Sequence, residues 1–212
     1  MTGPTFSTER LVLRRWSPAD RRPFARINAD PEVTAYRFAP LTRRQSDAII
    51  DQEEANFDRQ GFGLWAVERK RDRRLLGFTG LARSDFGARF CPAVDIGWQL
   101  SRDAWGRGYA TEGARAVLTF AFEELGLSEV VAHTTRLNER SRAVMRRLGM
   151  SRSDRRFRRP LVPTGSPASS LRAQSPSGVR LATGRREDSP VIGHGTAPPT
   201  TRSTDPASPI SK

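Results

Sequence analysis

Cysteine, histidine and lysine are scarce in this chain of 212 residues, which has one cysteine and two histidines. A lone cysteine, Cys91, excludes an internal disulfide framework and is typical of a reducing compartment. Two histidines and one cysteine cannot supply a spaced ligand set, so we predict no metal site. The chain also has no run near the ~18 apolar residues that cross a bilayer, and no signal-peptide pattern at its start. We therefore expect a cytoplasmic protein without a membrane partner.

Positive charge is in excess, with a formal net charge of +13. Residues 151–212 hold +7 of this excess, so most of it lies in less than a third of the chain. An arginine-rich stretch at 152–186 raises the alternative of nucleic-acid binding, whose affinity would fall steeply with salt. The stretch carries a single aromatic residue, Phe157, and we therefore disfavour nucleic acid as a partner.

Hydrophobic periodicity predicts one strand, two helices, three strands, a helix, a strand and a final helix. Ser17-Pro18, the capping-box spacing of Thr42 and Gln45, and Asn138 mark three of the helix starts. The predicted strands are 8–16, 62–69, 75–83, 93–100 and 129–135, and the predicted helices are 17–28, 42–60, 108–125 and 138–148. This order indicates an α/β fold in which helices pack on a mixed sheet.

A short loop with two glycines connects the strand at 93–100 to the helix that starts at Gly108. Glycine allows a close approach of backbone to a ligand, and the first N–H groups of a helix have no partners within it. Such a place can bind phosphate. The alternative for Gly106 and Gly108 is a tight strand-to-helix turn without a ligand.

Four motifs in order give this loop a more specific interpretation: DIGW (95–98), WGRGYATE (105–112), NERS (138–141) and LGM (148–150). Together they resemble the GNAT superfamily of acetyl-CoA-dependent N-acetyltransferases, and the opening TERLVLR (8–14) resembles its ribosomal-protein N-terminal (RimJ/RimL-like) branch. The resemblance spans about residues 6–165. It implies a three-layer α/β (α+β) fold, with helices on both faces of a mixed central sheet. It also implies acetyl-CoA as co-substrate and a primary amine as acceptor, either a protein N-terminal α-amine or a small amine.

The resemblance also assigns the donor half of the site. It places the coenzyme A pyrophosphate on the backbone N–H groups of Gly106, Arg107, Gly108, Tyr109, Ala110 and Thr111. It pairs the pantetheine arm with the strand edge at Trp98, Gln99 and Leu100, and gives it a hydrogen bond from Asn138. Ser141 would lie near the sulfur as a proton donor. Asn138 can equally be an ordinary N-cap, and the two roles are compatible.

One position departs from the family pattern, because Asp103 stands where the family often has Arg or Gln. An acid near a pyrophosphate is unfavourable, and Arg102 or Arg107 could offset it. Glu112 belongs to the matching motif, but a carboxylate in the first turn of a helix is favoured by the helix dipole, and we favour this structural role.

The reaction requires a neutral amine that attacks the thioester and a proton for the leaving thiolate. An α-amine with a pKa of ~8 is about one-tenth neutral at pH 7, whereas neutralising a lysine side chain costs roughly 4.6 kcal/mol. An α-amine acceptor therefore needs only a modest base. Asp95 is the first candidate, with an exposed strand carboxylate as the alternative. For His133 we favour a place on the surface or in the core over catalysis.

The composition changes near Pro160, and nine of the fifteen prolines lie at or beyond that position. We predict an acetyltransferase domain at 1–165 and a disordered tail at 166–212, since this tail is too polar to offset its ordering entropy. Residues 166–176 can be back-translated so that a one-base shift reads His-Pro-Leu-Arg-Arg-Phe-Val-Leu-Lys-Ala, which resembles the last strand that the family has and this chain lacks. We hypothesise a frameshift after Gly165, which would impair the enzyme.

A catalytically degenerate module that binds acyl-CoA or a partner is the alternative to an active enzyme. The sequence leaves the acceptor amine open, and it is compatible with a monomer or a homodimer.

Overall fold

The computed structural model describes residues 3–36, 39–84, 93–156 and 177–182. The strands are β1 (Phe6–Ser7), β2 (Leu11–Arg14), β3 (Leu64–Arg69), β4 (Arg74–Ser84), β5 (Ala93–Leu100), β6 (Glu129–Thr134), β7 (Ser151–Arg156) and β8 (Ser177–Ala182). The helices are α1 (Arg21–Ala29), α2 (Arg43–Gln60), α3 (Tyr109–Thr119) and α4 (Glu139–Arg147). The predicted strands and helices occur in the predicted order with boundary differences, and β1, β7 and β8 are strands beyond the five predicted. No helix in these ranges is both long and apolar enough to span a bilayer.

The described strands form one mixed sheet in the order β1-β2-β3-β4-β5-β6-β8-β7. Neighbours pair antiparallel, except β5 and β6, which run parallel with Asp95 opposite Val131. Within the described residues this parallel ladder has one position, although both strands continue beyond it. The two strands therefore separate towards their carboxyl ends and leave a gap in the middle of the sheet.

Helices cover both faces of the sheet, as the alternation along β4 shows. Phe78 points to the face of α1, where its ring lies 6.1 Å from that of Phe24. Its neighbour Thr79 points to the opposite face and packs so closely on α3 that a Cβ at Gly113 would lie 3.0 Å from its methyl group. Successive residues of a strand point to opposite faces, so α1 and α3 flank the sheet. The predicted three layers are confirmed.

The start and the end of α2 follow their sequence signals. The Thr42 hydroxyl accepts a hydrogen bond from the Gln45 backbone N–H at 3.3 Å. The side-chain oxygen Oε1 of Gln45 accepts one from the Thr42 backbone N–H at 2.8 Å, which completes the capping box. Gly61 ends α2 with a φ of 76°. The helix predicted to reach residue 125 instead changes to a π-helical turn at Phe120–Glu124.

The carboxyl-terminal segment differs from its prediction at six residues. Ser177–Ala182 forms β8, which lies between β6 and β7 within the stretch for which the sequence predicts disorder. The physical reason is the unpaired edge that β6 would otherwise present, together with the alternation of Val179 and Leu181 with Gly178 and Arg180. The rest of the predicted tail, including the frameshift position after Gly165, lies outside the described residues.

Candidate active site

The gap between β5 and β6 opens into a cleft of about 1000 Å³. Its lining includes α2 from one face of the sheet, the start of α3, one side of α4, and the facing parts of β5 and β6. Every position that the sequence predicts for catalysis or cofactor binding lines this cleft, except Arg107. These positions are Asp95, Trp98, Gln99, Leu100, Gly106, Gly108, Tyr109, Ala110, Thr111, Asn138 and Ser141.

The start of α3 lies at one end of this cleft. Gly106 and Gly108 have φ values of 71° and 81°, a left-handed conformation that residues with a Cβ rarely adopt. The Glu112 N–H donates to the Gly108 carbonyl, so the N–H groups of residues 109–111 point out of the helix end. A Cβ at Gly106 would project into open space, so side-chain crowding does not explain this glycine. These features fit a bound pyrophosphate.

Trp105 holds this loop against the end of β5. Its indole N–H donates to the Leu100 carbonyl at 2.9 Å, and the Arg140 guanidinium lies 4.2 Å from its ring centroid. Arg107 does not line the cleft, and its Nε donates to the Asp103 backbone carbonyl at 3.1 Å. Its predicted contribution therefore depends on the backbone N–H alone.

The charge of Asp103 is compensated by a residue that sequence reasoning did not name. Arg74, at the start of β4, lies 2.6 Å from its carboxylate. Burial acts to raise the pKa of Asp103, but the neighbouring Ser101 side chain and the charge of Arg74 outweigh it and hold the pKa below its usual range. Arg102, one of the two proposed to offset it, pairs instead with Glu32 at 2.6 Å.

Glu112 ties the amino-terminal strands to α3. Its carboxylate accepts from the Thr8 hydroxyl at 2.6 Å, from the Arg10 N–H at 2.9 Å and from Arg10 Nε at 2.7 Å. Burial acts to raise the pKa of Glu112, but these hydrogen bonds outweigh it and hold the pKa below its usual range. The geometry agrees with the structural role that we favour from the sequence.

Side chains at the start of α4 form another wall of the cleft. The Asn138 carbonyl oxygen accepts from the Ser141 N–H at 3.1 Å, so Asn138 is the N-cap of this helix. The cap uses only the oxygen of the amide, and its nitrogen keeps its donors for a further contact. Ser141 is half-buried in the cleft wall.

Trp98, Gln99 and Leu100 share one strand edge, but their side chains point to different faces of the sheet. The Gln99 side chain points to the face of α1, and its amide nitrogen donates to the side-chain oxygen of buried Asn28 at 2.7 Å. The Asn28 amide nitrogen donates in turn to the Ser46 hydroxyl on α2 at 3.0 Å. Trp98 and Leu100 point to the opposite face. Because Gln99 is tied to α1, its side chain positions β5, and its backbone is the part presented to the gap.

Asp95 lies where β5 and β6 begin to separate, on the same face as Gln99. Its side chain is only 9% exposed, so the alternative of an exposed strand carboxylate is wrong. The Ser84 hydroxyl donates to its Oδ2 oxygen, and Nδ1 of His133 lies 3.3 Å from that same oxygen. His133, for which the sequence favours a surface or core place over catalysis, lines the cleft and is 17% exposed.

A second carboxylate, Glu53 on α2, lies in the cleft wall on the face of α1. It accepts from the Leu64 N–H at 2.9 Å and from the Asn56 amide at 3.2 Å. Burial is the main cause of a pKa raised above the usual range for Glu53. Sequence reasoning missed this residue because a lone acid in a polar helix carries no motif. The sequence held no signal that connects His133 with Asp95. The two residues are brought together by the parallel pairing of β5 and β6.

Comparison with known proteins agrees with this architecture. Residues 10–151 match the family described as acetyltransferase (GNAT) domain. The Bacillus subtilis protein named "Putative ribosomal N-acetyltransferase YdaF" is 40% identical over 145 residues, which are 66% of this chain and 78% of that protein. The FsC-acetyl coenzyme A-N(2)-transacetylase of Aspergillus fumigatus is 39% identical over 155 residues, which are 70% of this chain and 65% of that enzyme.

A solved acetyltransferase from Agrobacterium tumefaciens has the same fold. It superposes with a TM-score of 0.67 at 26% sequence identity, and the match covers 85% of this chain and 95% of that one. The family match spans the strands and helices that build the cleft, from β2 to the first residue of β7. The chain therefore belongs to the GNAT family of acetyl-CoA-dependent N-acetyltransferases.

Proposed function

We propose that this enzyme transfers the acetyl group of acetyl-CoA to a primary amine, the α-amine of a protein N terminus or a small amine, by direct attack on the thioester. The observation that carries the proposal is one cleft through the gap between β5 and β6. It has the amino-terminal end of α3 at one end and the pair Asp95 and His133 on the opposite face of the sheet. Donor and acceptor can thus approach the gap from different faces.

The donor half would be held mainly by backbone groups. The N–H groups of residues 106–111 would contact the pyrophosphate, and the edge of β5 at 98–100 would pair with the amide groups of the pantetheine arm. The side-chain nitrogen of Asn138 would donate to that arm. Backbone donors fixed by the fold lose little conformational entropy when they bind, which favours a tight donor site.

The acceptor half would neutralise the amine and provide for the leaving sulfur. Bound acetyl-CoA supplies an activated acetyl thioester. Asp95 would place negative charge on the acceptor face, where an incoming ammonium is attracted and then loses its proton. Ser141 would offer its hydroxyl proton to the sulfur. An α-amine suits this site better than a lysine side chain, because its proton is held less tightly.

The names of the two relatives also support an amine acceptor. One is named for ribosomal N-acetylation and the other for transfer to an N(2) nitrogen. Both names specify acetyl transfer to a nitrogen atom, which agrees with the amine acceptor proposed for this chain.

Thiol release measured with a panel of amines tests the proposal. The panel contains short peptides with free α-amines, the same peptides with blocked α-amines, and a small polyamine. We expect release of coenzyme A with at least one free α-amine or small amine, and none with the blocked peptides. If the folded protein binds coenzyme A by calorimetry but releases no thiol with any amine, the chain is a binding module and the proposal fails.

A further inference from the structure

His133 is placed where a base for the acceptor amine is needed. It lies on β6, two residues beyond Val131, which pairs with Asp95, and so beside the point where the gap opens. It lines the cleft, and its Nδ1 lies 3.3 Å from Oδ2 of Asp95. We propose that His133 takes the proton of the acceptor amine at Nε2, and that Asp95 is a positioning residue that acts through it. This inference rests on the proposed function.

Exposure separates the roles of the two side chains. Asp95 is 9% exposed, and its Oδ2 oxygen faces both the Ser84 hydroxyl and the imidazole. His133 is 17% exposed and is the member of the pair with more surface towards the cleft. Imidazole is also, as a class of side chain, a stronger base than a carboxylate and is matched to proton transfer near neutral pH. His133, the more exposed member of the pair and an imidazole, is therefore the one that can reach an amine.

Asp95 would determine which ring nitrogen carries the proton. A neutral imidazole has one N–H and one acceptor nitrogen, and a carboxylate beside Nδ1 favours the proton on Nδ1. Nε2 is then the acceptor atom. Ser84 donates to the same carboxylate and holds it in place. The arrangement of hydroxyl, carboxylate and imidazole follows the logic of other enzymes in which a buried acid orients a histidine base.

The ammonium form of the acceptor first releases one proton to water, and from the neutral amine onward the proton balance of the step is complete with this one base. His133 accepts the proton that the amine loses while its nitrogen bonds to the acetyl carbon and the carbon–sulfur bond breaks. The electron pair of that bond leaves with the sulfur. The protonated His133 then supplies a proton for the thiolate, directly or through the Ser141 hydroxyl, and returns to its neutral form. No oxidant, metal or further reactant is required.

Two substitutions of the same residue separate catalysis from structure. In His133→Asn the amide nitrogen can occupy the position of Nδ1 and keep the contact with Asp95, whereas His133→Gln places its amide near the position of Nε2. Neither amide is a base. We expect both variants to lose 10²- to 10⁴-fold in kcat with the most active amine of the panel, with unchanged affinity for coenzyme A. The control is Arg136→Gln, an exposed position three residues further along.

The double variant tests whether Asp95 acts through His133. Asp95→Asn should also lower kcat, because the amide no longer favours the proton on Nδ1. Combining it with His133→Asn should cost no more than His133→Asn alone, since residues that act as a unit are not additive. Additive losses would show that Asp95 works independently. A loss of less than tenfold in either His133 variant would overturn the proposal.

A spectroscopic measurement keeps the inference testable apart from turnover. The ¹⁵N shifts of the His133 ring at mildly alkaline pH should show the proton on Nδ1 in the native enzyme and a mixture of tautomers in Asp95→Asn. A ring protonated mainly on Nε2 in the native enzyme would overturn the inference. If no amine releases thiol, the proposed function fails, whereas turnover that persists without His133 contradicts only the role of this residue.

Discussion

Glu112 shows how a residue inside a family motif can serve the fold. Its carboxylate is 16% exposed and accepts three hydrogen bonds from Thr8 and Arg10, two residues of the turn between β1 and β2. The Arg10 guanidinium also lies 4.7 Å from the ring centroid of Tyr109 and donates to the Arg107 carbonyl at 3.0 Å. The turn therefore stabilises the glycine loop through contacts with Arg107 and Tyr109.

Replacing Glu112 by Gln should destabilise the protein in a pH-dependent way. The pKa of this carboxyl is lowered in the folded state, so its stabilising contribution is complete above the unfolded pKa of ~4.3 and is lost as pH falls through the folded pKa. We expect a deficit of about 1–2 kcal/mol at pH 7, which shrinks below about pH 4. Urea denaturation at a series of pH values measures it.

The exposed Glu123→Gln, which makes the same change in charge, is the control for Glu112 and should have little effect on stability. A deficit of Glu112→Gln that is equal at pH 7 and pH 3 would contradict the proposed contribution of its charge.

At the scale of elements, glycine allows the central strands to pair closely. Gly80 on β4 lies opposite Gly97 on β5. A Cβ at Gly80 would lie 2.1 Å from the Gly63 carbonyl oxygen, which belongs to the backbone that leads into β3. A Cβ at Gly97 would meet nothing within 4 Å. Close approach of the backbone thus explains the glycine at position 80 but not the one at position 97.

Alanine at these two positions should therefore have different effects. Gly80→Ala forces β3 and β4 apart, because backbone atoms cannot yield as a flexible side chain can. We expect it to lower the free energy of unfolding by at least about 2 kcal/mol. Gly97→Ala should change stability by less than about 1 kcal/mol. Thermal and urea denaturation of both variants provide the comparison, and equal losses would contradict the close backbone approach.

For the whole molecule, the sheet depends on how it is completed beyond β6. Val130, Val131 and Ala132 are buried, and β8 pairs with all six residues of β6 in an antiparallel register. An unpaired β6 would expose a row of backbone N–H and C=O groups next to the cleft. The chain beyond residue 165 therefore bears on the stability of the acceptor side.

Removing residues 166–212 should expose the edge of β6. We expect faster hydrogen exchange at the β6 amides that pair with β8, a lower melting temperature and more aggregation. A chain that ends instead with the segment of the alternative reading frame should restore the protection, since that segment carries apolar residues of strand type. Unchanged exchange after truncation would contradict the pairing of β8, and resequencing of the gene tests the frameshift directly.

Much of the donor half was predictable because its signals are local. The alternation along β5, the two glycines and the helix start lie within one continuous stretch, and Asn138 is marked as a cap by its own surroundings. Backbone conformation and helix capping depend on neighbouring residues, so both can be predicted from the sequence.

Contacts between distant parts of the chain required the assembled sheet. Sequence spacing did not show that Arg74 would compensate Asp103, nor that Glu53 on α2 would lie in the cleft wall. These contacts join residues far apart in the chain, and their partners are chosen by strand pairing and helix packing. Sequence patterns contain no direct record of such choices.

The amino-acid sequence by itself determined the order of the predicted strands and helices, the glycine loop at the start of α3 and the residues proposed for the donor half of the cleft. Only the tertiary structure decided that Asp95 is buried beside His133, because the two residues meet through the parallel pairing of β5 and β6. The physical reason is the range of the interactions. Turns, caps and periodicity arise from neighbours in the chain, whereas the contact between Asp95 and His133 is made by strands that meet only after the chain has folded.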